Sequence, residues 1–225
     1  MGCCVTRISA GICEERTSLT NQIRSLLLER GHVVAQGHAR LRRVLGDLLA
    51  PDAGGLSLRM RFLLGDMRAC WEELDRRIAA FDAEFAAMAR TDDRARRLTS
   101  IPGIGALNAT ALVAAVGAAA TFDKGRDLAA WLGLVPRQVT TGGRSKLLGI
   151  TKRGSRYLRK MLIQGARSAM PRLAGADTTV GAWLRALLRR AHPDVAVVAL
   201  AAKMARTVWA LLRHERIYRA VPMPA

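Results

Sequence analysis

The feature that most restricts the fold is a run of apolar residues in the first half of the chain. Met60, Leu64, Met67, Trp71, Leu74, Ile78, Phe81, Phe85 and Met88 follow one another at alternating steps of four and three. That spacing lies close to the turn of an α-helix and puts every one of these side chains on one stripe. A strand would scatter them over both faces. The run therefore predicts one continuous helix over about residues 57–90. Arg68, Glu72, Glu73, Asp75, Arg76 and Arg77 fill its other faces, as the wet side of such a helix requires. A seam of about four heptads must be covered. Either an upstream helix through Leu19, Ile23, Leu26 and Leu27 folds back on it, or a second chain packs along it; spacing alone does not choose.

The rest of the chain also reads as helical. Apolar residues make up 50% of it and aromatics 4%, so alanine, leucine and valine carry the burial, a composition that favours helices over sheets. Residues 1–13, MGCCVTRISAGIC, show no helical period and read as an irregular start. A helix is expected from Glu14 towards Gly31, a second over Ala39–Leu49, and a turn at Pro51–Gly55. Residues 94–118 read as helix, Pro102-Gly103-Ile104-Gly105 turn, helix. Further helices are expected over Lys124–Leu132, Lys152–Ala169, Thr179–Ala191 and Pro193–Arg213, with residues 134–150 an irregular, turn-rich loop and residues 217–225 a fraying tail. The fold class is all-α: a coiled-coil arm (residues 14–92) followed by a helical basic domain (residues 93–216) that contains a helix-hairpin-helix motif. Residues 98–122 carry no charge, but Pro102, Gly103, Gly105, Asn108 and Gly117 interrupt them, so no membrane is expected as a partner. The four cysteines, Cys3, Cys4, Cys13 and Cys70, lack a histidine at zinc-ligand spacing and are expected to be reduced thiols.

Charge narrows the partner. The formal net charge is +18. Residues 1–100 hold 16 basic and 13 acidic side chains, whereas residues 101–225 hold 20 basic and 5 acidic. A folded region that lopsided calls for a polyanion. Arg137, Arg144, Lys146, Lys152, Arg153, Arg156, Arg159, Lys160 and Arg167 follow one another without a single intervening acid. A merely solvated helix face normally brings compensating acids. On an expected helix from Lys152, the side chains of Arg153, Arg156 and Lys160 share one face.

Two motifs carry more specific chemistry. In Leu98-x-x-Ile101-Pro102-Gly103-Ile104-Gly105 the glycines permit a tight turn and leave main-chain N–H groups at a helix start, which suits a phosphate oxygen. Gly103 and Gly105 are thus candidate nucleic-acid contacts, and a side chain at Gly103 is expected to weaken binding without unfolding the chain. In Val139-Thr140-Thr141-Gly142-Gly143-Arg144 two hydroxyls precede two glycines and a cation, so Thr140 and Thr141 are candidate nucleophiles with Arg144 to stabilise charge on a phosphate. His32, His38, His192 and His214 are scattered, and the five acids after residue 100 do not cluster in sequence. No metal site is expected within this chain.

The segments LTSIPGIG and FDKGRDLAAWLGLVPRQVTTGGRSKLLGITKRGSRYLRKMLIQGAR resemble the C-terminal domain of transposases of the IS110 family of bacterial insertion sequences, in the IS1111-like branch. The resemblance covers about residues 14–215. It implies a recombinase that binds DNA and moves a mobile element by DNA transposition, acting on the nucleoid in a bacterial cytoplasm. It also implies a structured guide RNA as a second partner, a homo-oligomer formed through the coiled coil, and an N-terminal RuvC-like domain whose DEDD carboxylates hold Mg²⁺. This sequence has no such domain, and Thr140-Thr141 stands where the family carries its serine. The chain is therefore expected to be a truncated copy, without a cofactor of its own and inactive alone. The alternative is a non-catalytic nucleic-acid-binding coiled-coil protein.

Overall fold

A computed structural model describes residues 2–50 and 55–222, with side chains from residue 8 onwards. The described residues divide into two compact units, residues 4–83 and residues 84–222.

The first unit holds α1 (Gly2–Leu28), α2 (His38–Leu49) and most of α3 (Leu58–Thr91), within which the division falls. α3 is continuous for 34 residues, as its seam predicts. One seam residue per heptad is buried (Leu64, Trp71, Ile78, Phe85), while Met60, Met67, Leu74 and Phe81 are half-buried and Met88 is exposed. Over the N-terminal half of α3 the cover comes from the same chain. Ile23 and Leu27 of α1, Leu41 and Leu45 of α2, and Leu64 and Trp71 of α3 form one apolar cluster. α1 begins at Gly2, so helix replaces the irregular start expected over the first residues. It ends where Gly31 takes φ 81, a conformation that glycine adopts without penalty.

In the second unit, α4 (Asp93–Thr99), α5 (Ala106–Val116) and α6 (Gly125–Trp131) precede a two-stranded sheet, β1 (Pro136–Thr141) and β2 (Arg144–Ile150). α7 (Arg156–Ala174), α8 (Thr179–Leu188) and α9 (Pro193–Arg213) follow. α9 is the central helix: Ala196, Val197, Leu200, Ala201, Met204, Ala205, Val208, Leu211 and Leu212 are all buried in the larger core. It packs against α4, α6, α7 and α8. Its 21 residues and mean hydropathy of 1.7 are also sufficient to cross a bilayer by length and composition. The uncharged stretch at residues 98–122 is the α4–α5 turn and the buried helix α5.

Three expectations need correction. Residues 136–150 are a β-hairpin rather than an irregular loop. α7 begins at Arg156 and not at Lys152, because Lys152 (φ 57) and Gly154 (φ 76) lie in the left-handed region, which ends any helix there; it also runs on through Pro171 to Ala174. The tail does not fray over its described length: Thr179 N–H donates to Val221 O at 3.0 Å, and Tyr218 N–H donates to the Ser100 hydroxyl at 3.0 Å.

Candidate nucleic-acid interface

β1 and β2 form a ribbon that is exposed on both faces along almost its whole length. Its turn is the two residues Gly142 (φ 55) and Gly143 (φ 75). Positive φ at both positions is the type I′ geometry, whose twist matches that of paired strands. The register pairs Thr141 with Arg144, Thr140 with Ser145, Val139 with Lys146 and Gln138 with Leu147. Directly paired residues share a face, and neighbours along a strand alternate. Val139, Thr141, Arg144 and Lys146 therefore lie on one face, while Arg137 sits at an irregularity of the register between Pro136 and Gln138. Gln138, Thr140, Ser145 and Leu147 lie on the other; there the Gln138 amide donates to the Thr140 hydroxyl at 3.5 Å. Arg144 and Lys146 are on one side, and the two candidate nucleophiles point to opposite sides.

The ribbon stands on a rigid base. The ladder continues below it, with Thr151 N–H donating to Val135 O at 2.9 Å and Lys152 N–H to Gly133 O at 3.2 Å. Two glycines permit this approach: a Cβ at Gly133 would run into the Arg153 carbonyl, and one at Gly154 into the Trp131 carbonyl. The Arg159 guanidinium ties the two segments by donating to Leu132 O (3.1 Å) and Arg153 O (2.9 Å). Lys152 is held with positive φ, a conformation that a non-glycine residue adopts only when its surroundings impose it. Ser155 caps α7, its hydroxyl accepting from Leu158 N–H at 3.3 Å.

The nine cations of the acid-free stretch are thus not equivalent. Arg159 is structural. Arg167 pairs with Asp194 of α9 at 2.9 Å, an acid that is distant in sequence. Arg153 lies in the turn before α7 and so is not on its helical face; Arg156 and Lys160, four residues apart, are. Among the described residues, the side chains of Arg137, Arg144, Lys146, Lys152, Arg153 and Arg156 make no ion pair, and all six are exposed.

The Pro-Gly-Ile-Gly turn divides its two glycines between different tasks. Gly103 (φ 90) lies against the backbone of Gly165 in α7, and a Cβ on either would run into the carbonyl of the other. Asn108, buried in α5, strengthens the junction by donating to Met161 O (3.3 Å) and, at 3.4 Å, to Gly103 O. A valine at Gly103 would therefore break packing, contrary to the expectation that it leaves the fold intact. Gly105 is open, a Cβ there would meet nothing, and it stands at the cap of α5 without a side-chain hydrogen bond. The first N–H groups of α5 are left for another acceptor. Thr99, Ser100, Gly103, Gly105, Ser168 and Arg172 line a shallow depression of about 390 Å³ there. Arg172 and Ser168 were not indicated by sequence as site residues; Ser168 lies within the expected helix, and Arg172 is reached only because α7 continues past Pro171.

Two groups near these elements have shifted titration. Asp92, the cap of α4, is held below its usual range: partial burial opposes this, but the Arg94 N–H at 2.8 Å, the Arg94 side chain and the Ala95 N–H favour the carboxylate. Lys203, 4.8 Å from the centre of the Trp183 ring, is pushed down by burial and by Arg206. No group of three or more His, Cys, Asp or Glu side chains that could hold a metal comes together among the described residues.

Comparison with known proteins locates this arrangement. Residues 95–179, which span α4 to the start of α8 and include the ribbon, match the transposase IS116/IS110/IS902 family. The chain is 40% identical over 214 residues to a probable family 20 transposase of Pseudomonas aeruginosa, covering 95% of this chain and 63% of that protein. It is 38% identical over 213 residues to the transposase for insertion sequence element IS1111A of Coxiella burnetii, covering 95% and 58%. The transposase for insertion sequence element IS1328 of Yersinia enterocolitica is 34% identical over 212 residues, covering 94% and 63%. The chain thus spans about three fifths of the length of these relatives. With the matched domain coinciding with the turn, the ribbon and the basic helix, the chain belongs to the IS116/IS110/IS902 transposase family.

Proposed function

We propose that this chain is a DNA-gripping part of an insertion-sequence transposase, in which the residues from α4 to α7 hold the nucleic acid on which transposition and recombination act. The observation that carries this reading is the set of six exposed cations, Arg137, Arg144, Lys146, Lys152, Arg153 and Arg156, left without ion pairs on a rigidly based ribbon. Folded chains rarely keep so many like charges together unless a polyanion neutralises them. Lys160 extends the patch along α7. The open first turn of α5 at Gly105, with Arg172 beside it, offers a further phosphate position built from main-chain donors. Gly103 shapes this position from behind.

The ribbon also separates the two hydroxyls at the serine position of the family. Thr141 shares a face with Arg144, and Thr140 faces away beside Ser145. If the cationic face meets nucleic acid, the reading brings the Thr141 hydroxyl to it and leaves Thr140 outside. A structured guide RNA as second polyanion, self-association along α3, where Leu58 and Phe62 are exposed, and action on bacterial nucleoid DNA complete the proposal.

The test is the salt dependence of binding to duplex DNA. If about six phosphates are neutralised, log K falls against log[salt] with a slope of about −5. An affinity independent of salt, or no binding at low salt, would refute the reading.

A further inference from the structure

We infer that the indole of Trp131 is a stacking platform for an unpaired base of a DNA strand that runs along the cationic root of the β1–β2 ribbon. The inference rests on the DNA-gripping function proposed above and adds a single-stranded ligand and the side chain that seats it.

Trp131 is the last residue of α6 and stands outside the core. Leu128, Ala129 and Leu132 make the buried contacts of that segment, and the indole is left 40% exposed. Of the other three tryptophans, Trp71 is buried, and Trp183 and Trp209 are half-buried. A large flat ring left in water is a cost to a folded chain unless a partner covers it. Phe122 meets the indole edge to face, with ring centres 5.8 Å apart and planes at 63°, a geometry that aromatic pairs prefer. Phe122 is itself held, its carbonyl accepting from Trp209 Nε1–H at 2.8 Å. The exposed ring is thus braced rather than loose, and an edge-to-face contact takes up one face of an indole at most.

The neighbouring turn is cationic. Residues 152–154 lie against the end of α6, so closely that a Cβ at Gly154 would run into the Trp131 carbonyl. The Arg159 guanidinium spans the same junction through its bonds to Leu132 O and Arg153 O. Trp131 therefore stands beside the root that carries Lys152, Arg153 and Arg156, which make no ion pair among the described residues. An apolar protein surface laid over the indole would have to desolvate these charges without compensation. A polyanion that also carries π-faces suits both features, because cations take its phosphates while an aromatic ring takes a base. Within a duplex the bases are stacked on one another and closed to a side chain, so the base on Trp131 is an unpaired one. Stacking of this kind tolerates any base; it holds a strand without reading its sequence.

The experiment compares binding of the full chain to a single-stranded oligothymidylate and to an abasic oligomer of equal length, which keeps the phosphates and lacks the bases. The unaltered chain is expected to bind the thymidylate about tenfold more tightly, with the same salt slope for both, and the thymidylate alone should quench its tryptophan emission. Trp131→Ala should bind the two oligomers alike. Trp131→Phe should keep the preference and lose most of the quenching, which locates the contact at residue 131 even where the alanine variant does not fold. Equal affinity of the unaltered chain for both oligomers overturns the inference, as does a preference that survives Trp131→Ala, and either result leaves the DNA-gripping reading standing. A Trp131-dependent preference found only with an oligouridylate of the same length assigns the platform to RNA and overturns it as well. Absence of binding to duplex and single-stranded DNA at low salt removes the reading and the inference together.

Discussion

The arginines of the two units do different work. In residues 4–83 Arg16, Arg42, Arg68 and Arg76 are tied to acids or to the core, while Arg40, Arg43 and Arg77 stand dispersed on the helices. Asp75 of α3 accepts from Arg16 at 3.0 Å and also from Arg42, Arg68 pairs with Glu72 at 2.8 Å, and Arg42 lies 5.0 Å from the centre of the buried Trp71 ring. Between residues 136 and 156 the cations stand on an exposed ribbon and its root without acids. The contrast shows that net charge alone is a blunt guide to function. What marks the interface is that its cations are unpaired while the backbone beneath them is held fast.

The contrast can be broken from the side of the arm. Trp71→Ala empties the centre of the smaller cluster and should destabilise the first unit by about 3–5 kcal/mol. Thermal or denaturant unfolding would register the loss, while duplex DNA binding under native conditions should keep its salt slope. A change in that slope would mean that the arm takes part in gripping.

It can equally be broken from the root of the ribbon. Gly154→Ala places a Cβ against the Trp131 carbonyl at a φ that alanine resists, at a cost of about 1–3 kcal/mol. Because the root orients the ribbon, DNA affinity should fall as well, even where the helical content measured by circular dichroism is retained. Unchanged affinity in a destabilised variant would detach the root from binding.

These residues also show what the sequence reveals and what it hides. The α3 seam was legible because its period is long and sustained, and α9 because Pro193 marks its start and an apolar pattern runs through it. The ribbon was missed for a physical reason. A strand exposed on both faces has no reason to alternate apolar and polar residues, so β1 and β2 lack the usual signal, and only the Gly142-Gly143 pair between them marked a two-residue turn. The candidate residues Thr140, Thr141 and Arg144 are close in sequence, but that Thr140 faces away from the other two follows from register, which no loop reading contains. The contact of Gly103 with Gly165 joins positions 62 residues apart, and nothing in either local pattern announces it.

A smaller effect sharpens the electrostatics of the arm. His38 stands 5.6 Å from Trp71, and its titration is lowered by partial burial and by Arg16, opposed by Asp75, with Arg24 and Arg42 adding to the lowering. The unfolded chain protonates near the ordinary histidine value of 6.5, before the folded chain does. The stabilisation is therefore complete above that pH and is lost as pH falls below it, through the lower folded value. Since His38 is largely exposed, a slight decline in the unfolding midpoint of the arm is expected as pH falls below about 6.5. His38→Gln should flatten it, and an equally steep decline in that variant would assign the effect elsewhere.

The most direct test of the account removes equal charge from each unit. One variant changes Lys152, Arg153 and Arg156 to alanine; the other changes Arg40, Arg43 and Arg77, three exposed arm arginines without ion pairs among the described residues. Affinity for duplex DNA is measured across a salt series for both and for the unaltered chain. The account predicts that the first variant loses affinity and that its salt slope becomes shallower by about 3, while the arm variant stays near the unaltered chain. Equal losses in the two variants would show that only net charge attracts DNA, and would contradict an interface built at the ribbon and its root.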